Sequence, residues 1–384
     1  MINDLDSNFI ETDNIESTSD KFLLKPFNFE LPGQQSLNIL CMSTSKKYIY
    51  LVTDRAELLC IESKTLKPVY QAYSFRANET SSSCRFKEHF TRIWTDRAGN
   101  HSIIRYNEKL FYFNSSGRDV KELNIFKGIE ICAIGYDDTN NNSDTTGNFL
   151  ATDYDNNIYE CNISIKIKND GDFDIDDKIE KIGTIIDSFW DVEDEDEIGF
   201  SDFTRLTKER IYGIKIIKNT KKKTDIQKGE DIFYIIAVTK TRIYEFRGSC
   251  ETSFKPIFEK YNRKPILFND CCKYFPPKKI KKNDSYVTNL DILYKNDRIE
   301  QFGWKTESGY CFGTFFFSGF LPENFKNLTV IPFAKITKSW EKEIDVEPIS
   351  IVHTQNHIFL LFKDCLTIIS KLTSNLIHSQ YFQK

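Results

Sequence analysis

Two histidines, His353 and His357, stand four residues apart in "HTQNH". On a helix this spacing turns both imidazoles to one face, where a zinc ion could be shared. The Glu that follows the first His in zinc-protease helices is replaced by Thr354, and the segment runs directly into "IFLLF". On a strand, residues four apart share a face but lie about 13 Å from each other, so only a turn would bring the pair close enough for a metal. Adjacent Cys271 and Cys272 lack a second Cys or His pair at ligand spacing and read as buried or half-buried thiols. Asp170, Asp172, Asp174 and Asp176 alternate as the ligands of a calcium loop do. However, Ile175 occupies the position that requires Gly, and Lys181 the position of the bidentate Glu. The series reads as a solvated acidic loop.

The lysine groups Lys221–Lys223 and Lys278, Lys279, Lys281 and Lys282 offer charge to phosphate, but no aromatics are interleaved for base stacking, and they read as solubilising loops. Trp190–Asp191 supplies one WD dipeptide without a Gly-His partner or recurrence. No G-x-S-x-G, phosphate loop or dinucleotide fingerprint is present. Accordingly, no catalytic, cofactor-binding or metal residue is assigned; no cofactor and no enzymatic activity are expected.

Short β-type segments carry these residues. "NFLATDYDNNIYECNI", Asn148 to Ile163, reads as strand, tight turn, strand, and "FYIIAVTKTRIYEFRG", Phe233 to Gly248, repeats the pattern. Comparable segments are "LNILCMS", "KYIYLVTDRAELLCIES", "HSIIRYNEKLFYFNSSG", "IEICAIGYDD", "RIYGIKIIK", "LDILYKNDRIEQFGW", "YCFGTFFFSG" and "HIFLLFKDCLTIISKL". No long stretch carries an apolar period of 3.6 residues. The hairpins at Tyr48, His101 and Asn148 recur about every fifty residues, the length of a four-stranded propeller blade. In this reading the repeated hairpin is the inner or outer strand pair of a blade, with its turn facing solvent. Five polar insertions read as surface loops: Asp137 to Gly147, Lys168 to Lys178, Asp191 to Glu197, Lys218 to Asp231, and Phe275 to Asp284. A pair of β-sandwich domains is the competing fold.

Composition agrees with a β protein. Phe (32) and Tyr (18) are abundant in 384 residues, Met (2) is nearly absent, and aromatics with Ile suit pleated, half-buried surfaces. A net charge of −4 gives no basic field that would argue for nucleic acid. Met1 to Asp20 is acidic and polar, unlike a secretory signal, and is expected to be disordered. The ten cysteines are therefore expected to be reduced thiols of a cytosolic chain. No apolar run approaches the roughly 20 residues that span a bilayer, so any membrane association is expected to be peripheral.

In order and wording, "HSIIRYNEKLFYFNSSGRDVKEL", "NFLATDYDNNIYECNI", "FYIIAVTKTRIYEFRG", "QFGWKTESGYCFGTF" and "SIVHTQNHIFLLFKDCLTIISKLTSNLIHSQYF" resemble the N-terminal β-propeller of the vacuolar protein sorting-associated protein 18 family, also called the Pep-three or deep-orange family. The family's Thr-Gln-x-His turn is matched by Thr354, Gln355 and His357. The resemblance runs from about Phe22 to Phe382.

The resemblance implies a seven-bladed, all-β propeller as a single domain over residues 21–384, after a disordered segment over residues 1–20. It also implies a core subunit of HOPS- and CORVET-type tethering complexes, which bridge endosomal, lysosomal or vacuolar membranes and assist SNARE-driven fusion. The expected partners are other class C tethering subunits, with SNARE proteins reached through the complex. The expected location is cytoplasmic, peripheral on late endosome, lysosome or vacuole membranes, with no nucleic acid bound. Family members continue into an α-solenoid and a RING; the sequence ends at Lys384, so RING-dependent ubiquitin-ligase activity is not carried over and a monomer is expected. A central-channel ligand or enzyme site is the alternative. Ring closure predicts that the hairpin from His357 to Lys371 shares a blade with strands near Leu37 to Ile61.

Overall fold

The structure, a computed structural model, describes residues 38–69, 73–75, 91–106, 109–117, 119–169, 172–184, 210–218, 232–239, 242–250, 252–259, 266–267, 290–295, 298–306, 309–314, 329–333, 348–362 and 365–382. Twenty-four strands among these residues form six sheets, each of four consecutive strands. The first sheet contains β1 (Ile39–Thr44), β2 (Tyr48–Thr53), β3 (Glu57–Glu62) and β4 (Tyr73–Ser74). The second contains β5 (Arg92–Thr95), β6 (His101–Tyr106), β7 (Lys109–Asn114) and β8 (Val120–Glu122). The third contains β9 (Ile131–Gly135), β10 (Thr145–Asp153), β11 (Asn157–Ile167) and β12 (Phe173–Thr184). The fourth contains β13 (Gly213–Lys218), β14 (Ile232–Val238), β15 (Arg242–Ser249) and β16 (Ile266–Leu267), with the short helix α1 (Lys255–Glu259) between its last two strands. The fifth contains β17 (Leu290–Lys295), β18 (Arg298–Lys305), β19 (Gly309–Thr314) and β20 (Thr329–Pro332). The sixth contains β21 (Ser350–His353), β22 (His357–Leu361), β23 (Cys365–Ser370) and β24 (Leu376–Tyr381).

The chain divides into two compact units. One comprises Phe29–Ala237 and Tyr244–Pro265; the other comprises Met1–Asn28, Val238–Ile243 and Ile266–Lys384. In the first unit, period-two alternation sends neighbouring residues of one strand into different seams. On β6, Ile104 packs with Tyr50, Leu58, Phe75 and Phe111, against the first sheet. Its neighbour Ile103 packs with Tyr112, Phe149, Ile163 and Phe173, against the third. On β10, Phe149 faces that seam while Leu150 faces Ile158, Ile214, Ile235 and Phe254. Sheets covered on both faces explain why all six residues of "HSIIRY" are buried. Each large apolar side chain so enclosed contributes roughly 1.5–3 kcal/mol. In the second unit, Tyr310, Phe312, Ile351, Leu360 and Ile369 make one core from the fifth and sixth sheets.

Turn chemistry fixes the hairpins. Between β10 and β11, one carboxylate oxygen of Asp153 accepts the backbone N–H groups of Asp155 and Asn157, both at 2.9 Å. The other accepts Asn157 Nδ2 at 2.7 Å and the Tyr159 hydroxyl at 2.9 Å. Asn156 sits at φ +62°, a left-handed conformation that Asn tolerates.

Several sequence expectations are corrected. The described residues hold six four-stranded sheets, not seven blades, because their strands complete six sets of four and no more. The repeated hairpin is the middle pair of its sheet, since β10 and β11 lie between β9 and β12. Its turn is not wholly solvated, because Asp153 and Asn156 are buried. The C-terminal strands pair among themselves as β21 to β24, and β1 to β4 do likewise, so the two ends share no sheet among the described residues. The acidic stretch read as a loop becomes strand from Phe173 onward, anchored by the fully buried Phe173 ring. The segment 1–20 expected to be disordered, Trp190–Asp191, the insertion 191–197, Lys221–Lys223, Cys271, Cys272 and the lysine-rich insertion at 275–284 lie outside the described residues.

Candidate functional site

His353 and His357 do not converge on a metal. They flank the β21–β22 turn, which is closed by Thr354 N–H donating to the His357 carbonyl at 2.9 Å. His353 is buried, with Nδ1 hydrogen-bonded to the Tyr310 hydroxyl. Gly303 of "QFGW" lets the backbone pass: a Cβ there would stand 2.6 Å from His353 Nδ1. Burial, with Lys371 adding to it, pushes the His353 pKa down to about 3. Lys371 donates to the Thr354 carbonyl at 2.8 Å and to Gln301 Oε1, and burial pulls its pKa down to about 8 against the opposing pull of Glu300.

This burial makes stability depend on pH. Between an ordinary histidine pKa of about 6.5 and the folded value of about 3, the unfolded chain binds a proton that folded His353 refuses. Stability therefore falls as pH drops through that window, by up to about 1.4 kcal/mol per pH unit. Denaturant melts at about pH 7 and about pH 5 should show a smaller loss in His353→Gln than in the wild type. An identical loss would place the acid sensitivity elsewhere.

The acidic series is likewise structural. Asp172 pairs with Lys121 at 2.7 Å, and Asp174 with Lys168 at 2.7 Å. The Asp172 carboxyl is held below its usual range chiefly by the Lys121 hydrogen bond. Among the described residues, no three His, Cys, Asp or Glu side chains come together as a metal site. Seven of the cysteines, Cys41, Cys60, Cys132, Cys161, Cys250, Cys311 and Cys365, lie among the described residues and form no disulfide there.

Two polar constellations in the first unit escaped the sequence reading. In one, the second sheet grips the insertion at 137–147. Asp96 accepts the N–H groups of Gly99 at 3.0 Å and His101 at 2.9 Å. His101 Nε2 lies 2.7 Å from the Asn142 carbonyl, which can only accept, so Nε2 carries the proton. Nδ1 then accepts from the Tyr112 hydroxyl at 2.6 Å. Asn114 Nδ2 donates to the Ser143 carbonyl at 2.7 Å. Burial lowers the His101 pKa and raises that of Asp96, so the imidazole stays neutral at pH 7 and the cluster serves as a latch.

The other constellation is cationic and partly open. Arg92 on β5 stands directly across from Arg105 on β6, so both side chains leave the same face. Arg92 Nη1 donates to the Cys132 carbonyl at 2.9 Å, and Arg105 Nη1 to the Ile131 carbonyl at 2.8 Å and the Tyr154 hydroxyl at 3.2 Å. The Tyr154 ring, carried by the β10–β11 turn, has the Arg105 guanidinium 5.3 Å from its centre and that of Arg210 at 4.3 Å. Ile211 N–H donates to Asn156 Oδ1 at 3.0 Å, tying the entry to β13 against the same turn. Burial lowers the Arg92 pKa, Arg105 pushes the same way, and Cys132, Tyr154 and Tyr212 oppose. The Cys132 thiol, enclosed by the Thr152, Asp153 and Ile211 carbonyls, is pushed up to about 11 by burial and is no nucleophile. The signal in the sequence was three arginines at strand ends, with no motif to join them.

The Pep3/Vps18/deep orange beta-propeller domain model matches residues 20–384. No curated protein matches the chain. Among solved structures, the WD40 domain of SCAP from fission yeast is similar at 11% identity and TM-score 0.37, covering 90% of this chain and 67% of that one. The β-propeller domain of Cps50 (Swd1) from Myceliophteria thermophila is similar at 9% identity and TM-score 0.49, covering 91% and 88%. Likenesses this distant say nothing of function.

Proposed function

This chain belongs to the Pep3/Vps18/deep orange β-propeller family, and from that premise we propose that it is a non-catalytic protein-interaction scaffold of a vacuolar-sorting tethering complex of the HOPS and CORVET type. The observation that carries the reading is the family match over residues 20–384. The fold is compatible with it: sheets buried on both faces leave turns and outer strands as the surface for partners, and rigid scaffolds commonly carry recognition on such loops. Among the described residues no helix is long and apolar enough to cross a membrane. The proposed location is the cytoplasmic side of late endosome, lysosome or vacuole membranes, held there through other class C subunits and, through the complex, SNARE proteins. Propeller surfaces of this kind favour modest, polar contacts, so the isolated chain is proposed to be a monomer.

The test is delivery of a vacuolar or lysosomal hydrolase in cells whose copy of this protein lacks residues 20–384. The expected result is accumulation of the undelivered precursor. Delivery at the unmodified rate would overturn the reading.

A further inference from the structure

We propose that Arg92, Arg105 and Arg210, gathered around Tyr154, bind a phosphate group.

Four observations carry this. First, Arg92 and Arg105 are direct cross-strand partners. Like charges so placed destabilise a sheet, and more so where burial thins the solvent between them. Second, Arg92 and Arg210 form no ion pair among the described residues. Asp153, a buried carboxylate of the turn that carries Tyr154, spends its oxygens on Asp155, Asn157 and Tyr159. Third, one nitrogen of Arg92 is held by the Cys132 carbonyl and Arg210 is held only against the Tyr154 ring. Their remaining N–H donors therefore have no protein acceptor among the described residues. Fourth, the floor and lip differ: Arg105 is buried and pinned, Arg92 and Tyr154 are half-buried, and Arg210 is exposed. A ligand can enter from the side of Arg210 and reach a guanidinium fixed in place before it arrives.

The choice of phosphate over a single carboxylate rests on charge and donor count. A carboxylate offers one charge and two oxygens, which one guanidinium fork satisfies. A phosphate monoester offers about two charges and three oxygens, enough to engage several forks and to relieve the Arg92–Arg105 repulsion. The phosphate could belong to a soluble molecule or to a lipid headgroup.

Purified chain would be titrated with inositol trisphosphate, with inorganic phosphate and, as the carboxylate control, with citrate. Thermal melting and equilibrium binding would be read. Vesicles of phosphatidylcholine, with and without phosphatidylinositol trisphosphate, form the lipid arm. The expected result is a melting temperature raised by inositol trisphosphate and not by citrate. Arg210→Gln, an exposed change that leaves the fold intact, should weaken binding roughly tenfold, the loss of one charged hydrogen-bonding partner. Arg92→Lys, which keeps the charge but loses the fork, should weaken it too, while Lys178→Gln on the outer strand β12 should bind as wild type does. Binding in solution together with retention on the phosphoinositide vesicles assigns a headgroup; binding in solution alone assigns a soluble phosphate. The proposal is overturned if no phosphate probe binds, if citrate binds as well as inositol trisphosphate, or if Arg210→Gln binds undiminished.

Discussion

Gly135→Ala will destabilise the first unit by about 1–3 kcal/mol or more, the cost of forcing atoms into filled space. Gly135 ends β9, and a Cβ built there would lie 2.6 Å from the Ile214 carbonyl oxygen and 2.9 Å from its carbonyl carbon. Those atoms are backbone of β13, the first strand of the next sheet, and no rotamer change can move them aside. Relief requires the two first strands to separate, which loosens the seam formed by Ala133, Leu150, Ile158 and Ile214. Gly183 is the control. Its nearest neighbour is Phe258 Cβ at 3.6 Å, an ordinary contact, and Gly183→Ala should be nearly neutral. Denaturant unfolding of both variants checks this, and equal stability of Gly135→Ala and wild type would refute the close approach of β9 to β13.

The second large effect is expected at Glu160. This side chain of β11 is buried and accepts Asn148 Nδ2 at 2.6 Å, the Phe254 N–H at 3.0 Å and the Ser253 hydroxyl. It thus holds the segment that leads into α1, and with it Phe254 and Ile257, which belong to the seam between the third and fourth sheets. Burial raises its pKa, and the Ser253, Phe254 and Asn148 hydrogen bonds oppose that rise. Glu160→Ala leaves three donors without their acceptor and should cost about 2–4 kcal/mol, given roughly 1–3 for each buried group orphaned and partial rescue by water. Glu160→Gln keeps one acceptor oxygen and should cost less than half as much. Chemical denaturation orders the three chains; an alanine variant no weaker than the glutamine variant would mean that the carboxylate is not what fastens the segment.

Much of the architecture was legible, and the part that was not has a common cause. The hairpins at Tyr48, His101, Asn148 and Phe233 show in the sequence because middle strands are buried on both faces and read as dense apolar runs. The fourth strands β4, β8, β12, β16, β20 and β24 do not. Among the described residues they pair on one side only, and β4 and β16 are only two residues long, while β8 and β12 mix charge with apolar residues, so the alternating carboxylates of β12 read as a loop. The count of seven blades came from the family resemblance and not from any spacing, and the strands themselves gave six sets of four. The insertion at 137–147 looked solvated because its own residues are polar. What orders it lies 29 to 41 positions away, in His101, Asn100 and Asn114, whose donors take its carbonyls. The arginine site was invisible for the same reason: Arg92, Arg105, Tyr154 and Arg210 meet only when strand ends from three sheets are brought together. His353 and His357 were visible as a pair, and a short strand turn lies between them.

The central claim, a propeller that serves a tethering complex by binding proteins, is tested most directly by what the chain holds in cells. Because modest propeller contacts are expected, the tagged chain would be purified after mild chemical cross-linking, and the retained proteins identified by mass spectrometry. The account predicts recovery of vacuolar-sorting tethering subunits with the wild-type chain and their loss with the destabilised Gly135→Ala chain. Recovery of none of them by a folded wild-type chain would contradict it.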